Sequence, residues 1–137
     1  MMAGLLLICH QRIGDEMLAT ASQLFDPLPM PVAVLSIDPG EDPEAACARG
    51  LGLADGIADH HGLLILTDAF GSTPSNIAAR ILEQHPSAHL VAGLSLPMLI
   101  RVLNYAGLPL EQLVIKAISG GHDGIIHCTA KGNCHAE

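Results

Sequence analysis

The chain has 137 residues, half of them hydrophobic and 15% charged, with a formal charge of −8 from 6 Lys+Arg against 14 Asp+Glu. Residues 1–137 therefore have the length of one ordinary domain and a composition too apolar for disorder; a chain of this size buries roughly 70% of its unfolded surface without staples. The acidic balance argues against duplex nucleic acid and anionic membranes, and 2% aromatic residues with no Trp argue against base-stacking platforms, which leaves proteins or small molecules as partners.

The first aliphatic run, residues 3–9, has no Lys or Arg before it and no cleavage site after it, so it is not expected to be a leader. No run approaches the ~18 apolar residues of a membrane span. Residues 14–25 place Met17, Leu18, Ala21, Leu24 and Phe25 on one helical stripe, with Asp15 and Glu16 in the first turn, where the helix dipole favours negative charge. The Asp26-Pro27-Leu28-Pro29 turn stops that helix, and residues 32–37 form the second aliphatic run. Asp42-Pro43-Glu44 then opens a helix with an Asp cap and a Pro in its first turn. It runs towards Ile57 with glycine interruptions at Gly50 and Gly52, and His60-His61 read as its polar end.

The third run is 63–67, and Thr73-Pro74 announces a helix carrying Ile77, Ala78, Ile81 and Leu82. The fourth run, 90–94, leads through Ser95-Leu96-Pro97 into a helix that points Met98, Leu99, Val102 and Leu103 inward and ends at Gly107. Residues 109–118 read as a fifth helix closed by Gly120-Gly121, before a strand-like segment at 125–128 and a small polar tail. Continuous apolar strands separated by crossover helices predict a doubly wound α/β domain with a mostly parallel sheet. The four cysteines, Cys9, Cys47, Cys128 and Cys134, form no CxxC pair in a chain that needs no cross-links, which implies a reducing cytoplasm and inert thiols.

In open parallel sheets ligands sit beyond the carboxyl ends of the strands. That rule selects His10 after the first strand, Asp68 after the third, and the loop Ala69-Phe70-Gly71-Ser72-Thr73 that feeds the third helix. An aspartate that accepts the Nδ1 proton of a histidine sets its tautomer and leaves Nε2 free as a nucleophile. A helix N-terminus approached through Gly offers N–H donors and a positive dipole end, which suits a phosphoryl group. If the first and third strands are neighbours, these groups converge.

The segments His10-Gln11-Arg12-Ile13-Gly14, 66–76 (Leu-Thr-Asp-Ala-Phe-Gly-Ser-Thr-Pro-Ser-Asn) and 91–99 (Val-Ala-Gly-Leu-Ser-Leu-Pro-Met-Leu) resemble, in order, the IIA component of the mannose family of the phosphoenolpyruvate:sugar phosphotransferase system (PTS). Asp38-Pro39-Gly40-Glu41 is similar as well, and the resemblance covers residues 3 to about 124. It implies a four-stranded sheet in order 2-1-3-4 and a cytoplasmic phosphocarrier that takes a phosphoryl group on His10 from the small carrier HPr and passes it to a IIB-type acceptor. In that resemblance Asp68 is the carboxylate partner, and Gly71, Ser72, Thr73 and Ser75 lie in the phosphate-binding loop. It also implies a homodimer that exchanges the strand at 125–128, no cofactor or metal, and membrane contact only through a separate permease. The family often has Gly where this chain has Gln11, and a Gly-Gly pair where it has Gly71-Ser72.

Three other readings compete. A regulatory module would use the same His10 chemistry to report its phosphorylation state to a protein partner. A serine hydrolase would need Ser72, His10 and Asp68 as a triad, but the G-x-S-x-G elbow is missing. A metal site in His122, His127, Cys128, Cys134 and His135 matches no zinc spacing. Nucleotide binding is disfavoured because Gly71-Ser72-Thr73 lacks the Walker Lys and no G-x-G-x-x-G follows the first strand.

Overall fold

The computed structural model describes residues 2–132 and 134–136. The elements run β1 (Gly4–His10), α1 (Ile13–Ala21), β2 (Val32–Ile37), α2 (Pro43–Ile57), β3 (Leu63–Thr67), α3 (Thr73–Gln84), β4 (His89–Ala92), α4 (Leu96–Asn104) and α5 (Leu110–Asp123), followed by β5 (Ile126–Cys128) and β6 (Cys134–Ala136). The four main strands form a parallel sheet in the order β2-β1-β3-β4. Among the described residues no helix is long and apolar enough to cross a membrane.

The absence of hydrophobic alternation in β1 and β3 follows from their central position. Leu5, Leu7 and Cys9 of β1, with Leu64 and Leu66 of β3, enter a core shared with Leu99, Val102, Leu113 and Ala117 of α4 and α5. Leu6 and Ile8, with Leu63 and Ile65, enter a second core with Ala46, Ala54, Ile77 and Ile81 of α2 and α3. Each fully buried Leu or Ile stabilises the fold by roughly 1.5–3 kcal/mol. Because alternate residues face opposite cores, His10 continues the Leu6–Ile8 row and emerges on the α2/α3 side.

Several sequence expectations are corrected. Helix α1 ends at Ala21, and Leu24, placed on its buried stripe, is 64% exposed. Gly50 and Gly52 do not interrupt α2; at Gly50 a Cβ would come within 2.5 Å of Ile81 Cδ1 and 2.9 Å of Leu35 Cδ2, so the missing side chain lets the helix lie close to the sheet. His60 and His61 fall in the turn after α2 instead of at its end. Strand β4 stops at Ala92, because Gly93 turns the chain at φ +90° and Leu94 N–H bonds to Thr67 O.

Gly120 and Gly121 do not close α5, which runs through them to Asp123. A Cβ on Gly120 would meet Arg101 Cβ at 2.5 Å, and one on Gly121 would meet Met98 Cε at 3.0 Å, so these positions let α4 and α5 approach. The segment after α5 does form a strand, β5, but it pairs antiparallel with β6 of the same chain where a polar tail was expected. That register sets Cys128 opposite Cys134, and the two form a disulfide. The expectation of unpaired, inert thiols therefore fails for Cys128 and Cys134, and the cysteines no longer argue for a reducing compartment, while Cys9 and Cys47 are free and buried.

Candidate functional site

His10 is the last residue of β1, where the sequence suggested the first residue beyond it, and Asp68 follows β3 directly. The β1–β3 ladder ends at the pair Ile8 and Thr67. One step further, the Asp68 carboxylate continues it. Its Oδ2 accepts the backbone N–H of His10 at 2.9 Å and faces His10 Nδ1 at 2.8 Å, while Oδ1 accepts Ala69 N–H at 3.0 Å.

The Asp68 side chain is 10% exposed and that of His10 is 45% exposed. Burial by itself raises the Asp68 carboxyl, but the His10 backbone and ring N–H groups, the imidazole charge and the Ala69 N–H together hold it below its ordinary range. An ionised carboxylate only accepts, so Nδ1 carries a ring proton, and in the neutral imidazole the free lone pair is on Nε2. On the opposite face of the sheet from His10, burial and then the Asp68 charge push the Cys9 thiol up to about 12, which leaves it protonated and non-nucleophilic.

The chain leaves β1 abruptly. Gln11 takes φ +45° and donates its N–H to Ile37 O at 2.8 Å. A left-handed position of this kind is one that Gly occupies at the least cost. Across the site, Gly71 takes φ +84° with open space around it, whereas Ser72 has φ −86° and so accommodates a side chain where a second Gly is usual.

Ser72 is the N-cap of α3 but makes no side-chain bond to the helix; its hydroxyl donates to Ala69 O. It bonds neither His10 nor Asp68, so the Ser72-His10-Asp68 triad is not assembled. Ser75 is 4% exposed, inside the first turn. Thr73 and Pro74 line a cleft of about 340 Å³ together with His10, Gln11, Ile37 and Pro43. In that first turn Pro74 has no N–H, and the N–H groups of Thr73 and Ser75 have no partner within the helix.

The loop 38–41 forms the far wall of the cleft. Sequence reasoning noted its similarity but gave it no part in the site. It is braced internally: Asp38 N–H donates to Glu41 Oε1 at 3.1 Å, and Arg49 pairs with Glu41 while donating to Ser36 O at 3.1 Å. The acidic Asp38, Glu41 and Asp42 after an aliphatic strand were the signal available. Phe70, beside Asp68 in sequence, is 86% exposed.

A sequence model of the family described as "PTS system fructose IIA component" matches residues 4–118. The chain is 27% identical over 124 residues to the PTS system mannose-specific EIIAB component of Escherichia coli K12, which covers 89% of this chain and 38% of that protein. It thus spans well under half the length of that relative. Among solved structures, the mannose/sorbose specific IIA subunit from Enterococcus faecalis superposes with a TM-score of 0.84 at 23% identity, covering 94% of this chain and 96% of that one. The PTS component EIIA from Streptococcus agalactiae superposes with a TM-score of 0.76 at 22% identity, covering 93% and 97%. These structural likenesses concern the fold.

Proposed function

Because the chain belongs to the PTS fructose IIA component family, we propose that it is a cytoplasmic phosphohistidine carrier, with residues 1–137 acting as one IIA-type domain. The single observation that carries the proposal is the 2.8 Å contact between His10 Nδ1 and Asp68 Oδ2, which favours the neutral tautomer with its lone pair on Nε2, in a cleft shared with Thr73 and Pro74 at the start of α3.

In the forward half-reaction the Nε2 lone pair attacks the phosphorus of a phosphohistidine on HPr. The donor N–P bond breaks as the new N–P bond forms, and the displaced electron pair returns to the donor imidazole. His10 keeps its Nδ1 proton, so the modified ring is cationic and Asp68 stabilises it. The N–H groups of Thr73 and Ser75, reached through the Gly71-Ser72 turn, receive the phosphoryl oxygens. The second half-reaction repeats the in-line displacement with a nucleophile on a IIB-type component. The half-exposed imidazole suits transfer between two proteins.

We also infer a homodimer. Ile115, Ile118, Ile125 and Ile126 are 49–63% exposed, and Ile118 and Ile125 line a groove of about 400 Å³ with Val91, Gly93 and Met98 beside edge strand β4. A second copy's β5 is the occupant this edge calls for; to exchange, β5 has to leave β6.

The function is tested by incubating the protein with phosphoenolpyruvate, enzyme I and HPr. Wild type is expected to gain one acid-labile phosphate and His10→Ala none. Equal labelling of the two overturns the assignment.

A further inference from the structure

The end of the sheet opposite His10 carries a second cluster of titratable side chains. Helix α2 stops at Ile57, and the chain turns through 58–62 into β3. The turn is tied down: Gly62 N–H donates to Asp59 O at 3.0 Å, and Gly62 O accepts Gly4 N–H at 3.0 Å. Gly62 takes φ +98°, and a Cβ there would meet Leu110 Cδ2 at 2.6 Å, so the sheet and α5 hold this turn in one conformation. It presents Asp59, His60 and His61, whose donor atoms all lie within 4.8 Å of one another. The imidazole centroids are 3.9 Å apart, and Asp59 Oδ1 lies 3.1 Å from His61 Nδ1.

We propose that Asp59, His60 and His61 bind a divalent transition-metal ion of the zinc class. Two imidazoles and one carboxylate are a donor set for zinc and its neighbours, whereas calcium and magnesium favour oxygen alone. Donors roughly 2.0–2.1 Å from a tetrahedral ion lie about 3.3 Å apart, close to the 3.1 Å between Asp59 and His61. The metal takes the place of the His61 Nδ1 proton, which leaves to solvent. His60 and His61 also line an open cleft of about 460 Å³, from which water completes the coordination. The whole of β3 separates this cluster from Asp68, so the ion braces the α2–β3 turn and takes no part in chemistry at His10.

Tag-free protein titrated with ZnCl2 in a calorimeter is expected to bind one ion per chain at this site, and CoCl2 to give the visible absorption of a tetrahedral complex. H60A/H61A weakens zinc binding by at least about tenfold, since even groups that only support metal ligands contribute that much. A variant lacking His122, His127 and His135, the imidazoles near the C-terminus, keeps the site. Circular dichroism checks that each variant is folded, and Asp59→Asn, also expected to weaken binding, serves if the double variant is not. No zinc binding by wild type, unchanged affinity in the turn variants, or loss of the site in the C-terminal variant overturns the proposal.

Discussion

A single oxygen of Asp68, Oδ2, takes both the backbone N–H of His10 at 2.9 Å and the proton on its Nδ1 at 2.8 Å. One bond positions the strand end and the other sets the tautomer, so backbone and chemistry share an acceptor. Asp68→Asn presents either an N–H group to these donors or a neutral oxygen that stabilises a cationic ring poorly. Phosphoryl transfer to His10 is expected to slow by at least about a hundredfold. A folding cost of about 1–3 kcal/mol should accompany it, from the mispaired buried N–H groups. Labelling kinetics and urea unfolding measure the two effects, and an unchanged rate removes Asp68 from the mechanism.

The same residue predicts a pH dependence of stability. Although burial raises it, the Asp68 carboxyl lies below its ordinary 3.8 because of the His10 and Ala69 donors. The folded state therefore holds this proton less tightly than the unfolded state. The stability it contributes is complete only above about pH 5, well above the unfolded-state value, and is lost as the pH falls through the folded-state value. Between about pH 5 and pH 3 the urea midpoint of wild type should fall further than that of Asp68→Asn. Parallel acid limbs count against the linkage.

Gln11 and Gly71 flank the site with left-handed backbones, φ +45° and φ +84°, and predict substitutions of opposite sign. A non-glycine residue in this region costs roughly 1–2 kcal/mol. Gln11→Gly is expected to be neutral or to stabilise by up to about 1 kcal/mol, because relief of strain outweighs the flexibility gained by the unfolded chain. Gly71→Ala should destabilise by about 1 kcal/mol through backbone strain alone, since a Cβ there meets nothing within 4 Å. Thermal unfolding of the two variants decides the signs.

Phe70 is 86% exposed beside the candidate site and contributes little to the core. Phe70→Ala should leave stability within about 0.5 kcal/mol of wild type. The concentration of phosphorylated HPr that half-saturates transfer should rise roughly tenfold, as for an exposed aromatic anchor of a protein interface, while the maximal rate is kept. A fall in the maximal rate with unchanged half-saturation would place Phe70 in the transfer step itself.

Much of this protein is legible in one dimension. Gly4–His10 and Leu63–Thr67 lack alternation because each is buried on both faces, and Thr73-Pro74 and Ser95-Leu96-Pro97 mark helix starts. Order along the chain, with the preference of ligands for strand carboxyl ends, was enough to nominate His10, Asp68 and the 69–73 loop, whereas Ser75 entered only through the family resemblance. Glycines were misread at Gly50, Gly120 and Gly121, because a glycine that ends a helix and one that lets a helix pack closely look alike until the partner is known. Gly50 has Ile81 and Leu35 over it, and Gly120 has Arg101.

The residue types and their order along the chain, which depend only on local propensity and hydrophobic pattern, determined the fold class and the chemistry available. Tertiary structure alone decided that one Asp68 oxygen holds two His10 donors, that Gln11 bends left-handed and that the 38–41 loop walls the cleft. It also decided that Cys128 meets Cys134 and that Asp59, His60 and His61 turn their donors together. Most of these depend on distances between segments that meet only when the sheet assembles and the loops pack against it, while the Gln11 bend and the 59–61 donors depend on local backbone dihedrals, and neither spacing nor periodicity encodes either.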